Sequence, residues 1–367
     1  MKVLIIGNRN HQFIGNYVLE LRKKFSDFSC DIVSYEYDDN SCRYDMVYDK
    51  IHNLEVPNLF RWNKYLRLLY QQVKFRKLLR ITENYDIVHV HYIENFIVRD
   101  LHYFCKHIKA KLVVSVWGSD FLRQSVRIRS RLRTLFKRAD AITIANNKII
   151  SEFVDFYKDE KIKNKIHKCL FGLRPLDILE ANMSLRDEVL KNIVIGYNAS
   201  EGQQHEKILN NISDLECLAD YSIILPMTYP HNPLYIKRIA LLAEEKKMSI
   251  EIIDRYLTDK QIAELRLNAS IFIQLQVTDL LSGSMIEHLY AGAIVITGSW
   301  LPYEVLKEQG LFFIQIDSIN DLRSTLEQII NGMQEYVSRA KHNKELIDGL
   351  YTWNKVISQW VNLYKAL

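Results

Sequence analysis

Short runs rich in β-branched residues alternate along the whole chain with longer stretches of helical apolar spacing, and this alternation restricts the fold more than any other feature. It is the pattern of βαβ units, whose parallel strands are buried on both faces and are therefore apolar throughout. In the first half the runs are residues 3–6, 31–34, 87–91, 112–116 and 141–144, with 168–172 expected as the last strand. The alternation restarts with residues 193–196, 222–225, 249–253, 270–274, 294–297 and 312–316. A chain of 367 residues has the length for two such domains. The expected class is α/β, with Rossmann-like domains at 1–178 and 190–345 facing a central cleft, where ligands of doubly wound folds bind. Residues 346–367 are expected to form an amphipathic helix, with Trp353, Val356, Trp360 and Leu363 at helical spacing, that packs back toward the first domain.

Apolar residues at 48%, charged residues at 25%, 12 Gly and 6 Pro describe a core-forming chain and exclude disordered or fibrous classes. A formal charge of +5 is too small for a polycation, so only local clusters of charge carry meaning. Cys30, Cys42, Cys105, Cys169 and Cys217 stand singly, without the paired spacing of zinc, redox or disulfide frameworks. The first apolar run ends at Gly7-Asn8-Arg9, too early for a secretory leader, and no run reaches the ~18 residues of a membrane span. A cytoplasmic location is expected.

The stretch from Gln276 to Thr297 is the richest in chemistry. Asp279 lies in a loop after a strand, Ser282-Gly283-Ser284 opens a helix, and Glu287 falls one turn inside it. Free N–H groups at a helix N-terminus attract phosphate, and glycine lets the backbone approach closely. Glu287 is then placed for ribose hydroxyls and Asp279 for hydroxyls of an attached sugar. The bland alternative is a serine N-cap followed by a solvated glutamate.

This segment resembles the E-x7-E region of GT-B glycosyltransferases of the family 4 type, with Asp279 and Glu287 at the two acidic positions and Glu287-His-Leu-Tyr-Ala-Gly292 completing it. Similar motifs follow in the family's order: Tyr85-Asp-Ile-Val-His-Val-His91, Val116-Trp-Gly-Ser-Asp120, Ala139-Asp-Ala-Ile-Thr-Ile-Ala145 and Phe171-Gly-Leu-Arg-Pro-Leu-Asp177. The resemblance implies a GT-B fold and transfer of a sugar from a nucleotide diphosphate donor, UDP- or TDP-linked. Tyr256 and Leu257 match the loop that holds the base through its backbone, the alternative for Tyr256 being ordinary packing. Trp117 replaces the usual histidine before Gly118, and the N-terminal loop with Asn8, Arg9 and Gly15, read as an acceptor-side loop, lacks the usual glycine pair. The basic residues that normally follow the first strand of the second domain are missing. In their place Gly196-Tyr-Asn-Ala-Ser-Glu-Gly-Gln-Gln-His-Glu-Lys207, with Leu225-Pro-Met-Thr-Tyr-Pro230, is similar to transferases of 4-acetamido-4,6-dideoxygalactose (Fuc4NAc) that act on a lipid-linked acceptor. On that resemblance Asn198, Ser200 and His205 supply hydrogen bonds to the diphosphate and Lys207 adds charge; alternatively His205 and Lys207 face solvent. The two resemblances imply opposite stereochemistry, retention for family 4 and inversion for the Fuc4NAc enzymes.

In the first domain His89 and His91 alternate on one strand and point the same way, with Tyr92 and Glu94 just beyond its end. His91, Glu94, Asp120 and Asp279 are the expected catalytic set, a core role being the alternative for one of the two histidines, with Asp120 as the base for the attacking hydroxyl or the residue that orients the acceptor; its alternative is a helix N-cap. No D-x-D motif stands at a strand end, so a metal-independent reaction is expected, the departing diphosphate being stabilised by helix N–H groups. Two basic stretches, residues 61–80 and 123–138, interleave cations with apolar residues as interfacial helices do. They imply either a peripheral contact with the anionic inner face of the membrane or solvated faces over ordinary core stripes; no nucleic-acid module accompanies them. The expected function is sugar transfer to a surface glycan acceptor carried on a lipid. The rivals are a non-catalytic subunit that stabilises a partner glycosyltransferase, and a sugar-nucleotide epimerase.

Overall fold

The computed structural model describes residues 1–34, 44–54, 56–145, 147–187, 189–230, 232–279 and 282–367, and only the backbone of Arg61. Cys42 lies outside this set, and the other four cysteines are free thiols. The chain divides into two compact units, Met1–Gly172 with Trp353–Leu367, and Leu173–Thr352.

Unit 1 carries a parallel sheet of β1 (Lys2–Ile6), β2 (Ser29–Ser34), β3 (Lys50–Asn53), β4 (Ile87–His91), β5 (Lys111–Val116), β6 (Ala141–Ile144) and β7 (Ile166–His167), in the order β3-β2-β1-β4-β5-β6-β7. Successive side chains alternate between the faces. Leu4 and Ile6 join Val88, Val90, Phe104 and Phe136 on one side, while Val3 and Ile5 join Ile87, Val113 and the helix Gln12–Lys24 on the other. The second face is closed by the helix Trp353–Ala366, whose Trp353, Val356, Trp360 and Leu363 are buried against Tyr17, Val18 and Leu21. Burying one such side chain contributes about 2 kcal/mol.

One expectation is corrected here, and one strand is added. Residues 168–172 are not a strand: the sheet stops at His167, and the chain turns so that Leu170 and Phe171 pack under the C-terminal helix. Trp360 Nε1 donates to Leu170 O (2.7 Å), and Leu170 N donates to Gln359 Oε1 (2.9 Å). Gly172 is required there, since a Cβ would come within 2.4 Å of the Trp353 ring. The polar edge strand β3, Lys-Ile-His-Asn, had no apolar run to reveal it.

Unit 2 carries β8 (Asn192–Ile195), β9 (Ser222–Pro226), β10 (Ile250–Ile253), β11 (Ala269–Gln274), β12 (Ile294–Gly298) and β13 (Ile314–Ile316), in the order β10-β9-β8-β11-β12-β13. The helices Arg174–Ala181, Asp259–Leu267 and Gly283–Ala291 pack on one another beside this sheet. Residues 173–178 therefore lie in unit 2, and so do residues 346–351, which end the helix Asn343–Tyr351. The C-terminal helix of unit 1 begins only at Trp353. Both sheets reverse their order once, between β1 and β4 and between β8 and β11, and at such reversals the loops beyond the strand ends splay apart to leave a binding crevice.

Candidate functional site

In unit 2 a cleft of about 540 Å³ opens at the carboxyl ends of the strands around this reversal. Its walls are the helix Arg174–Ala181 (Pro175, Ile178), Tyr197 after β8, Thr228 and Tyr229 after β9, Tyr256 and Leu257 after β10, and the helix Asp259–Leu267. Its floor is Asp279, Ser282, Gly283, Ser284 and Glu287. Ser282 starts the helix by accepting from Met285 N through Oγ (3.3 Å), and Gly292, at φ +81°, ends it. The first N–H groups of a helix have no partner inside it, so this end presents donors and the positive end of the dipole to the cleft. A Cβ on Gly283 would meet nothing closer than Glu287 Oε1 at 3.7 Å. Packing among the described residues thus does not demand glycine there, and its small size suits a close approach of a ligand to the helix N-terminus.

Glu287 is tied to Arg266, a residue that no motif signalled: Arg266 Nε donates to Glu287 Oε2 at 3.1 Å, with both side chains largely buried in the cleft wall. Arg266 Nη1 is buried and has no partner among the described residues. The site therefore holds a guanidinium although the expected basic residues after the first strand are absent. Asp279 is held from below by Tyr303, whose hydroxyl donates to Oδ2, and by Gln274 Nε2 (3.2 Å), which also donates to Tyr303 Oη (2.5 Å). Burial, and then the bond to Asp279, push the Tyr303 phenol far above its ordinary value, so it remains a donor.

Three residues expected at the diphosphate do not line this cleft. Asn198 Oδ1 accepts from Ser200 N (2.8 Å) and Ser200 Oγ accepts from Gly202 N (3.3 Å), so both brace their own loop. His205 is fully buried with Nδ1 3.1 Å from Tyr235 Oη, and burial lowers its pKa to about 4; it neither faces solvent nor reaches the cleft. Lys207 bonds Gln204 Oε1 on the surface (2.9 Å).

In unit 1 the crevice loops are held by Asp120. It is fully buried, Oδ1 accepting from Trp117 N and Gly118 N (both 2.9 Å) and Oδ2 from Ile93 N (3.0 Å). Burial raises its pKa to about 6 against the lowering effect of these bonds. Both oxygens are occupied, so the carboxylate expected as a base instead fastens the loops after β4 and β5. Nor does it cap the short helix Ser119–Leu122 through its side chain. His91 is fully buried with its ring tilted by 32° against that of His89 (3.9 Å between centroids), and burial lowers its pKa to about 3. His89 lies 2.7 Å from both Tyr364 Oη and Ser115 Oγ. Glu94, at the end of the β4 loop, is partly exposed. Asn8 Oδ1 accepts from Asn10 N (2.8 Å), Arg9 pairs with Asp45 (3.6 Å), and Gly15 lies inside the helix Gln12–Lys24 beneath the Tyr44 ring. Gly118 sits at φ +107°, where a side chain is strained.

Two parallel-sheet Rossmann-like units of this order define the GT-B fold. The Glycosyl transferase 4-like family model matches residues 2–147, within unit 1. Anabaena Alr3699/HepE, solved in complex with UDP, is similar over 100% of both chains at 10% identity, with a TM-score of 0.69. A glycosyltransferase from Rickettsia africae is similar over 100% of this chain and 98% of its own, at 14% identity and TM-score 0.67. UDP-GlcNAc 2-epimerase from Neisseria meningitidis, bound to UDP-GlcNAc, is similar over 100% of both chains at 14% identity and TM-score 0.68. No curated protein sequence matches the chain. Among the described residues no helix is long and apolar enough to cross a membrane, and no group of three or more His, Cys, Asp or Glu is arranged to hold a metal ion.

Proposed function

We propose that this chain is a glycosyltransferase that moves a sugar from a UDP- or TDP-linked donor to a hydroxyl of a lipid-linked surface glycan at the inner face of the membrane. The observation that carries the reading is the unit 2 cleft, where an open helix N-terminus, the Glu287–Arg266 pair and Asp279 converge. In this reading Glu287 accepts hydrogen bonds from the ribose diol, Tyr256 and Leu257 receive the base, and Asp279 addresses the sugar. The N–H groups of Gly283 and Ser284 hold the diphosphate, which leaves with its charge compensated by the helix dipole and by Arg266 rather than by a metal. Glu94, the partly exposed member of the unit 1 set, is assigned to the acceptor hydroxyl. HepE with UDP and the UDP-GlcNAc-bound epimerase support a uridine nucleotide. The epimerase likeness also keeps a second enzyme reading in play, and a non-catalytic partner subunit is the third.

The test is a melting-temperature screen against UDP, TDP, GDP, CMP and ADP, because a ligand that binds only the folded state raises the midpoint by mass action. A rise with UDP or TDP that Glu287→Ala abolishes supports the donor site; no rise with any nucleotide overturns it. Turnover of a UDP-sugar in the presence of EDTA, and only when an acceptor is added, separates a metal-free transferase from an epimerase, which consumes donor alone. Binding without turnover identifies the silent subunit.

A further inference from the structure

The two basic stretches of unit 1 differ in what they expose. In the helix Val126–Arg138 most of the cations are engaged inside the unit: Arg133 and Lys137 pair with Asp159, Arg138 pairs with Asp140, Arg131 donates to Val98 O, and Arg129 lies over the Phe121 and Phe156 rings. Its larger apolar side chains, Leu132, Leu135 and Phe136, point into the core. That helix is the solvated face of an ordinary core stripe.

In the stretch 58–80 Arg76 is engaged in the same way, pairing with Asp100 (2.8 Å) and lying over the Tyr103 ring, and Lys74 lies over the Tyr70 ring, but this stretch differs in composition and in the apolar side chains it exposes. It carries seven Lys or Arg and no Asp or Glu. It forms the helices Asn58–Arg61 and Lys64–Leu79, the second of which buries Phe75 and Leu79 against the core. On the side turned away from that core Leu66, Leu69 and Val73 follow one another at i, i+3 and i+7, and stand 46%, 58% and 47% exposed. Leu59 (81%), Trp62 (94%) and Tyr65 (82%) extend this apolar surface at the N-terminal end of the helix. One helix thus has two apolar faces, and among the described residues only one of them is packed. An exposed apolar surface of this kind marks a docking face.

We propose that the surface formed by Leu59, Trp62, Tyr65, Leu66, Leu69 and Val73 docks unit 1 onto an anionic lipid bilayer. The flanking Lys64, Arg67 and Lys77 meet the headgroup phosphates, and Trp62 and Tyr65 sit at the boundary between headgroups and acyl chains, where amphipathic rings are favoured. Charge selects this occupant. A second copy would bring two acid-free basic faces together and repel. A nucleic acid would satisfy the cations but leave Leu66, Leu69 and Val73 in water. The proposal deepens the reading of a lipid-linked acceptor by naming the surface that reaches the membrane, but its test does not depend on nucleotide binding.

The full chain is sedimented with vesicles of phosphatidylcholine alone, and with vesicles of equal parts phosphatidylcholine and phosphatidylglycerol. Binding is expected only to the anionic vesicles and should weaken as salt is raised. The variant Leu66→Gln/Leu69→Gln/Val73→Gln, and separately Trp62→Ser, should reduce vesicle binding at least tenfold while retaining the wild-type melting temperature. Arg123→Glu/Arg127→Glu on the other basic stretch should leave it unchanged. Absence of wild-type binding to anionic vesicles, or wild-type binding by the triple variant, overturns the proposal. So does a concentration-dependent dimer that the triple variant abolishes, which would assign the face to a second copy. Failure of the donor reading would appear in the nucleotide screen and leave the sedimentation result untouched.

Discussion

Arg266 reaches Glu287 across 21 positions of sequence, from one helix to the next, and the pair sits in the wall of the donor cleft. If the guanidinium fixes this carboxylate for the ribose and offers charge to the diphosphate, Arg266→Met should weaken nucleoside diphosphate binding about tenfold to a hundredfold, the worth of a hydrogen bond to a charged group. Calorimetric titration checks this, and unchanged affinity would reduce Arg266 to packing. Asp120 makes a prediction of a different kind. Its folded pKa, raised to about 6 by burial, lies above the ordinary value of 3.8. The folded state therefore holds a proton that the unfolded state has released, and stability falls as pH rises from about 4 to 6, then levels off. Asp120→Asn removes this slope. It also turns an amide N–H toward Ile93 N or the Trp117–Gly118 pair, at a cost of about 1–3 kcal/mol. Denaturant melts at several pH values read both effects. The motif around Asp120 was readable in sequence because it is local. Its burial, and the meeting of Arg266 with Glu287, were not, because distant segments create them.

At the scale of elements, the buried strands were visible because a strand covered on both faces must be apolar throughout. The exceptions have physical causes. β3 is a polar edge strand with no core stripe to display, whereas 168–172 is apolar for packing beneath Trp353 and Trp360 rather than for pairing. The helix Gln12–Lys24 contains a sharper constraint: a Cβ on Gly15 would lie 2.2 Å from the Tyr44 ring. Although alanine is the better helix former, Gly15→Ala should lower stability by about 1–3 kcal/mol, because the ring must move out of a packed core. A matching drop in melting temperature, with Gly15→Ala costing little more in a Tyr44→Ala background, would locate the clash. The helix Gly283–Ala291 shows the reverse case, a glycine that none of the described residues crowds, and so one whose role, on the proposed reading, points outward to a ligand.

For the whole molecule the two-domain plan could be read from the restart of the alternation, but the ownership of the chain segments could not. Unit 1 is completed by residues that follow unit 2 in the sequence, and the ends of unit 2 are joined by Leu173 N donating to Tyr351 O (2.7 Å). Truncation after Thr352 should therefore unfold or aggregate unit 1 by removing Trp353, Val356, Trp360, Leu363 and Tyr364 from its core, while residues 173–352 expressed alone keep their fold and, on the proposed reading, their nucleotide binding. Circular dichroism and the nucleotide screen on the two fragments distinguish the outcomes.

The same arrangement sets an order of events during translation. All of unit 2 is synthesised before the helix that closes unit 1. The β1–β7 sheet must wait with the Tyr17, Val18 and Leu21 side of its core uncovered while the second sheet can already pack. Its vulnerability to chaperone capture or self-association is thus concentrated in the interval before Trp353–Ala366 emerges, and a stalled chain ending near residue 352 should be retained by chaperones through its N-terminal half.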